Sequence, residues 1–253
     1  IKDKEHVDIR FAMCFPDVYE IGMSNLGVQI IYSILNERED VWCERVYSPW
    51  PDLHAIMKEE NIPLFALESQ DPVKDFDFLG ITLQYEMCYT NVLQVIDLAQ
   101  IPLHSEDRED SDPIIIGGGS CSYNPEPLAD FFDIFYIGEG ETRYYDLIDL
   151  YKENKAAGGS RLGFLKKAAQ LPGMYVPRLY GVSYNADGTI KRFAAKEEFT
   201  DIAPVSIRKE TCRDMDEVYY PDKPVIPYVQ VVQDRACLEI QRGCIRGCRF
   251  CQA

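Results

Sequence analysis

Through the first 155 residues, short apolar runs alternate with segments whose apolar residues recur at helical spacing. A run such as Ile114 to Ile116 predicts a buried strand, whereas Leu26, Ile30 and Ile34 form the apolar stripe of an amphipathic helix. The predicted strands are residues 7–15, 41–47, 64–67, 76–83, 113–116 and 133–137, and the predicted helices are residues 24–37, 50–60, 89–99 and 139–153.

Buried strands divided by helices indicate a parallel sheet with helices on both faces. We therefore predict an α/β fold with a flavodoxin or Rossmann-like sheet. Ligands of such sheets bind at the carboxyl ends of the strands, near the point where the strand order reverses. Three loops are predicted at that edge: residues 15–27, 82–86 and 117–120.

Two of these loops supply candidate binding residues from their own sequence. The glycines of the third loop allow backbone N–H groups to approach a flat or anionic ligand, and a tight turn is the alternative explanation. The candidates are Thr82, Gly117, Gly118, Gly119 and Ser120.

The character of the chain changes after residue 155. Gly158, Gly159 and Ser160 indicate a break, and a short helix is predicted at residues 162–171. A β-rich stretch follows with a hairpin turn at residues 185–188, and then a proline-spaced extended segment. We expect an α/β domain at residues 1–155, a linker module at 156–234, and the start of another domain at 235–253, with a strand at 236–241.

Composition excludes several classes of protein. No apolar run approaches the roughly 20 residues that span a bilayer, so no membrane partner is expected. The net charge of −16 opposes unspecific nucleic-acid binding by this portion of the chain. Nine irregularly spaced cysteines argue against a secreted disulfide framework and favour reduced thiols in the cytoplasm.

The cysteines of greatest interest stand near the end of the chain. Cys244, Cys248 and Cys251 have C-x3-C-x2-C spacing, and Gly243 and Gly247 allow the backbone to fold tightly around a bulky group. Three thiolates are one ligand short of a closed zinc or iron–sulfur site, whereas on a 4Fe-4S cluster they leave one iron open. Half of a zinc site and three ordinary thiols are the alternatives.

This triplet resembles the signature of radical S-adenosylmethionine (radical SAM) enzymes. The triple glycine, Pro125-Glu126-Pro127, Asp133 and the segment Gly138-Glu139-Gly140-Glu141 are similar to the cobalamin-binding-like domain that precedes the barrel in one branch of that family. The resemblance implies a 4Fe-4S cluster on the three cysteines, S-adenosylmethionine on the open iron, and Phe250 near the adenine. It also implies a reductant such as flavodoxin or ferredoxin, and residues 236–241 as the first strand of a TIM-like barrel.

Whether cobalamin binds is left open by the resemblance. Cobalamin-binding relatives with a lower axial histidine carry Asp-x-His-x-x-Gly, and here Asp17, Tyr19 and Gly22 occupy that spacing as cofactor-site candidates. A tyrosine phenol titrates near pH 10 and is a poor cobalt ligand at neutral pH. Either cobalamin binds without a protein axial ligand or the domain keeps only its fold.

The resemblance therefore implies the amino-terminal part of an iron–sulfur enzyme that cleaves S-adenosylmethionine to a deoxyadenosyl radical. Methyl transfer, methylthiolation and rearrangement stay open, as does the substrate. Because the barrel would follow Ala253, we expect these 253 residues to be inactive alone. A cobalamin-binding module without catalysis and a structural or redox cysteine module are the alternatives.

Overall fold

The computed structural model describes residues 2–249 and 251. These residues form one six-stranded sheet with helices on both faces and a separate hairpin. The strands are β1 (Ile9–Phe15), β2 (Val41–Tyr47), β3 (Phe78–Thr82), β4 (Ile114–Gly118), β5 (Ile134–Tyr136), β6 (Met174–Tyr175), β7 (Tyr180–Tyr184) and β8 (Ile190–Ala195). The α-helices are α1 (Tyr19–Gly22), α2 (Leu26–Glu37), α3 (Pro51–Glu59), α4 (Tyr89–Leu98), α5 (Tyr144–Ala156) and α6 (Arg161–Ala168).

The large sheet has the strand order β2-β1-β3-β4-β5-β6. Its first five strands are parallel, and β6 joins β5 as an antiparallel edge strand. The order of the five parallel strands is that of flavodoxin-like folds, and the order reverses between β1 and β3. The predicted α/β fold class is thus confirmed. The strand β6 lies in the stretch predicted to be β-rich, but its pairing with the large sheet was not predicted.

Side chains of β1 alternate between two apolar clusters. Phe11 and Met13 belong to the cluster on the face covered by α2, α5 and α6. Ala12 and Cys14 belong to the cluster on the opposite face, which α3 and α4 cover. Because successive side chains of a strand point to opposite faces, a strand buried on both faces is apolar at nearly every position.

Hydrogen bonds from side chains set the starts of two helices. Asn25 Oδ1 accepts from the amide of Val28 at 3.0 Å before α2, and Ser160 Oγ accepts from Gly163 at 3.1 Å before α6. The helix predicted at residues 139–153 starts later, because residues 140–142 form a 3-10 turn before α5.

Two predicted strands are absent from the structure. Residues 64–67 make only an isolated bridge between Phe65 and Pro72, since the chain turns back on itself at once. Residues 236–241 form no strand, and Leu238 and Ile240 are 78% and 89% exposed. No strand of the described residues lies beside this segment, and a strand needs a neighbour for its backbone hydrogen bonds.

The proline-spaced segment at residues 204–235 contacts the sheet domain at a few points, and most of its residues are exposed or half-buried. Val231 is buried, the amide of Val232 donates to the carbonyl of Glu20 at 3.0 Å, and the amide of Gln233 donates to Ser24 Oγ at 3.1 Å. Further along the chain, Arg242 pairs with Glu139 and Glu141, which follow the carboxyl end of β5. In the part of the chain that the structure describes, no helix has the length and apolarity to cross a membrane.

Candidate functional site

A cavity of about 250 Å³ opens at the carboxyl edge of the sheet, where the strand order reverses. Its walls are mainly apolar, and its rim carries charged and amide side chains. The apolar walls are formed by Met13, Ile30, Ile31, Ile81, Tyr136 and Tyr144. The polar lining consists of Thr82, Gln84, Glu139, Glu141, Glu239 and Arg242. An apolar hollow with a few polar groups at its rim is the usual form of a small-molecule site.

Two of the three loop glycines line this cavity. A Cβ atom built on Gly118 would meet no neighbouring atom closer than 4.0 Å, so the space beside it belongs to the cavity. Gly119 has a φ of +105°, and a Cβ there would lie 2.7 Å from the carbonyl oxygen of Leu83. Gly117 is not part of the lining. A Cβ atom there would lie 2.9 Å from the ring of Phe135 and 3.0 Å from that of Phe132, so this glycine makes room for the two rings.

The loop after β3 is tied to the glycine loop by hydrogen bonds. Gln84 Nε2 donates to Thr82 Oγ1, and Ser120 Oγ donates to the carbonyl of Gln84 at 3.0 Å. Thr82 and Gln84 line the cavity, whereas Ser120 holds the two loops together behind it. The polar groups at this side of the cavity are therefore held in place without a ligand.

The candidates of the first loop lie outside the cavity lining. Asp17 accepts a hydrogen bond from Tyr85 Oη at 3.0 Å, which raises the pKa of Tyr85. The ring of Tyr19 packs edge-on against Tyr47 with 5.2 Å between ring centroids. A Cβ on Gly22 would lie 2.5 Å from the Tyr47 ring. Tyr19 and Gly22 therefore pack against Tyr47, and neither lines the cavity.

Arg242 and three carboxylates form the charged rim of the cavity. Its guanidinium pairs with Glu139 at 3.3 Å, with Glu239 at 2.8 Å and with Glu141. Burial opposes the charge on Arg242, but the carboxylates of Glu239 and Glu141 outweigh burial and raise its pKa. Burial likewise disfavours a charged Glu139, yet the amide of Cys212 and the guanidinium of Arg242 lower the pKa of this carboxyl. Arg242 and Glu139 are therefore both charged at neutral pH.

The three cysteines of the triplet are exposed thiols. The amide of Arg246 approaches Cys244 Sγ at 3.4 Å, and the amide of Cys251 donates to the carbonyl of Cys248 at 3.1 Å. Among the described residues, no group of three potential ligands is arranged to hold a metal ion. Phe250 lies outside the described residues.

The donor chemistry of the triplet nevertheless suits an iron–sulfur cluster. Cysteine thiolates are the standard ligands of such clusters, and hydrogen bonds to sulfur such as the one to Cys244 tune them. By contrast, burial raises the pKa of the thiols of Cys14 and Cys43 in the sheet, so these remain protonated.

Comparison with known proteins identifies the class. Residues 27–177 match the family described as "Radical SAM proteins, N-terminal". This match covers more than half of the chain, and the chain belongs to that family. An uncharacterized protein of Methanocaldococcus jannaschii is 26% identical over 245 residues, which are 96% of this chain and 40% of that protein. The chain thus spans less than half of this relative.

Two solved structures can each be superposed on 78% of this chain, with a TM-score of 0.41. One is the cobalamin-dependent S-adenosylmethionine radical enzyme OxsB with aqua-cobalamin and S-adenosylmethionine bound, at 15% identity and 24% of that chain. The other is the radical S-adenosylmethionine methyltransferase TsrM from Kitasatospora setae with tryptophan and a S-adenosylmethionine analogue bound, at 12% identity and 31% of that chain.

Sequence reasoning missed the residues that complete the cavity. Tyr136 and Tyr144 lie in a predicted strand and a predicted helix, and Glu239 lies in a predicted strand, but the sequence gives none of the three a role at the edge of the sheet. The position of Tyr136 at the end of a parallel strand is a signal that identifies it. Nothing in the local sequence identifies Glu239. It lies at the cavity because its partner Arg242 pairs with Glu139 and Glu141, which are about 100 residues away in sequence.

Proposed function

We propose that the chain is the amino-terminal part of a radical SAM enzyme in which the cavity of the sheet domain and the cysteine triplet serve one reaction centre. The observation that carries this proposal is the position of Arg242, which lines the cavity and stands two residues before Cys244. The membership of the chain in the radical SAM family supports the same conclusion.

The cluster would be held by Cys244, Cys248 and Cys251. When bound, a 4Fe-4S cluster with an open iron supplies one-electron cleavage of S-adenosylmethionine, the chemistry that gives the family its name. The chain's own contribution is to supply three thiolates on one exposed loop and to hold that loop at the edge of the sheet. We expect a small redox protein such as flavodoxin or ferredoxin to deliver the electron, and we leave the substrate unassigned.

For the cavity we propose a corrinoid bound without an axial ligand from the protein. Cavities for drug-sized ligands span roughly 300–1,000 Å³, so a cavity of about 250 Å³ accommodates part of a corrinoid and leaves the rest over the rim. The open face of Gly118 supports this choice, since a flat ring can approach the backbone there. Tyr19 packs against Tyr47 and does not line the cavity, and no histidine is part of the lining.

Anaerobic reconstitution of the full-length protein tests the cluster. We expect about four irons and four sulfides per chain and an oxygen-sensitive absorption spectrum, and the change of any one triplet cysteine to alanine should abolish both. Cys237→Ala is the matched control, because Cys237 is an exposed thiol outside the triplet. Stoichiometric zinc without sulfide would instead support a structural cysteine site, and unchanged iron in all three variants would refute the assignment.

A further inference from the structure

The segment Gly138-Glu139-Gly140-Glu141 joins three parts of the chain that are distant in sequence. The amide of Glu139 donates to the carbonyl of Glu210 at 3.0 Å, and the amide of Glu210 donates to Ile137 at 3.1 Å. The carboxylate of Glu139 accepts from the amide of Cys212 and pairs with Arg242. The end of β5, residues 210–212 and residues 239–242 therefore meet at one place, which we call the charged junction.

Backbone geometry fixes the charged junction on its sheet side. Gly138 has a φ of +137°, and a Cβ there would lie 2.3 Å from the carbonyl oxygen of Glu210. A Cβ on Gly140 would lie 2.6 Å from Ile31, so the segment also lies directly against α2. Glu139 and Glu141 are thus presented from a rigid support, with side chains only 18% and 9% exposed.

Arg242 is the residue through which the cysteine loop reaches this support. Its side chain is 17% exposed although its neighbours in sequence are open to solvent, with Ile240 at 89% and Ile245 at 101%. A guanidinium with several donors can engage more than one carboxylate at once, which a lysine ammonium does with less geometric control. Arg242 therefore contacts both Glu139 and Glu141 across more than 100 residues of sequence.

Because Arg242 is close to Cys244 in sequence, its contact with Glu139 and Glu141 also restricts the position of Cys244. Only Gly243 separates Arg242 from Cys244, so the Cα atoms of these two residues lie at most ~7 Å apart. Gly243 adopts a φ of +80°, which bends the chain immediately before the cysteine. The backbone of the first cysteine of the triplet is thus kept within ~7 Å of the backbone of a residue that lines the cavity.

We propose that Arg242 is a positioning residue that, through Glu139 and Glu141, holds the first cysteine of the cluster loop over the mouth of the cavity. The functional part of this inference rests on the proposed cluster, whereas the junction itself does not. In this role Arg242 acts through Glu139 and Glu141. It determines where the cluster loop lies relative to whatever the cavity binds.

Hydrogen–deuterium exchange of the full-length protein tests the junction without any cofactor. In Arg242→Gln we expect the amides of Glu139 and Cys212 to exchange about tenfold faster, the size expected when a hydrogen bond to a charged group is lost. Arg213→Gln is the matched control. This change removes the same charge beside Cys212, but Arg213 is exposed. Unchanged exchange in Arg242→Gln would overturn the proposal.

A second measurement tests the effect on the cluster. The reconstituted Arg242→Gln protein should lose iron to a chelator severalfold faster than the wild type, with Arg242→Lys intermediate because it keeps the charge but lacks the planar fork. If core amides of β1 also exchange faster in Arg242→Gln, the whole protein is destabilised and this variant no longer tests the junction. The exchange of Glu139 and Cys212 in Arg242→Lys is then the test, and unchanged exchange of these two amides would refute the junction. If the wild type assembles no cluster, the proposed function fails, while the exchange result still decides the junction. Faster exchange with unchanged iron loss would refute the positioning role alone.

Discussion

Asp133 and Arg161 form a buried ion pair, with 2.6 Å between Oδ2 and Nη2. Arg108 pairs with the same carboxylate at 2.9 Å, and the amide of Ile115 donates to it at 2.8 Å. The side chains of Asp133 and Arg108 are 1% and 0% exposed, so one carboxylate compensates two buried guanidinium groups. This cluster ties α6 and the loop before β4 to the start of β5.

The first prediction concerns this buried carboxylate. Asp133→Ala leaves Arg108 and Arg161 without their common counter-ion, and we expect a loss of about 3–5 kcal/mol in the free energy of unfolding. Asp97→Ala is the control, because Asp97 pairs with Lys58 at the surface, where such pairs contribute up to about 1 kcal/mol. Urea denaturation followed by circular dichroism measures both, and equal losses in the two variants would contradict the prediction.

A second prediction concerns the pH dependence of stability. Arg38 donates to both oxygens of Asp40, at 2.9 and 2.8 Å, and together with Lys152 it lowers the pKa of this carboxyl from its ordinary value of 3.8. A lowered folded-state pKa contributes stability that is present above pH 3.8 and is lost as the pH falls from there through the folded-state value.

Asp40→Asn should therefore be less stable than the wild type at pH 7, by up to about 1 kcal/mol for this partly exposed group. The difference should shrink as the pH falls below 3.8. Urea titrations between neutral pH and pH 3 provide the measurement, with Glu59→Gln on α3 as an exposed control. A difference that grows in acid would show that the assigned sign is wrong.

The third prediction tests the corrinoid site. Gly118→Val places a branched side chain in the cavity, where its Cβ atom meets no neighbour closer than 4.0 Å. Gly118 also ends a strand, where valine is well tolerated. We expect a normally folded protein that binds hydroxocobalamin roughly tenfold more weakly or worse, because the cavity is overfilled. Titration of the full-length protein, followed by its absorption spectrum, measures the affinity.

Gly181→Val is the control for this titration. Gly181 lies in β7, and a Cβ there would be 3.5 Å from its nearest neighbour, so the same change occurs in a strand away from the cavity. Equal affinity in both variants would place the corrinoid elsewhere. A spectrum with a protein nitrogen ligand would contradict binding without an axial histidine.

The fourth prediction compares two glycines with positive φ angles. Gly158→Ala, at φ +64° with no atom within 4 Å, should cost about 1 kcal/mol from backbone strain. Gly138→Ala combines such strain with a Cβ at 2.3 Å from the backbone of Glu210, and we expect more than about 3 kcal/mol or local opening of the charged junction. Thermal unfolding of the two variants separates the contributions, and equal melting temperatures would refute the close approach at Gly138.

The sequence by itself determined the α/β architecture and the edge at which the cavity lies. Predicted strand 41–47 coincides with β2, and the turn predicted at residues 185–188 connects β7 and β8. These features depend on local periodicity and turn chemistry, which a sequence carries directly. The glycines at the carboxyl end of β4 were likewise predicted at the ligand edge, and Gly118 and Gly119 line the cavity there.

Only the tertiary structure decided which side chains form the site. The spacing of Asp17, Tyr19 and Gly22 suggested a cofactor position, but Tyr19 and Gly22 pack against Tyr47, and none of the three lines the cavity. Arg242 reaches the cavity through carboxylates about 100 residues away in sequence. Ion pairs of that kind depend on how distant segments approach one another, and no local pattern of apolar and polar residues specifies that approach.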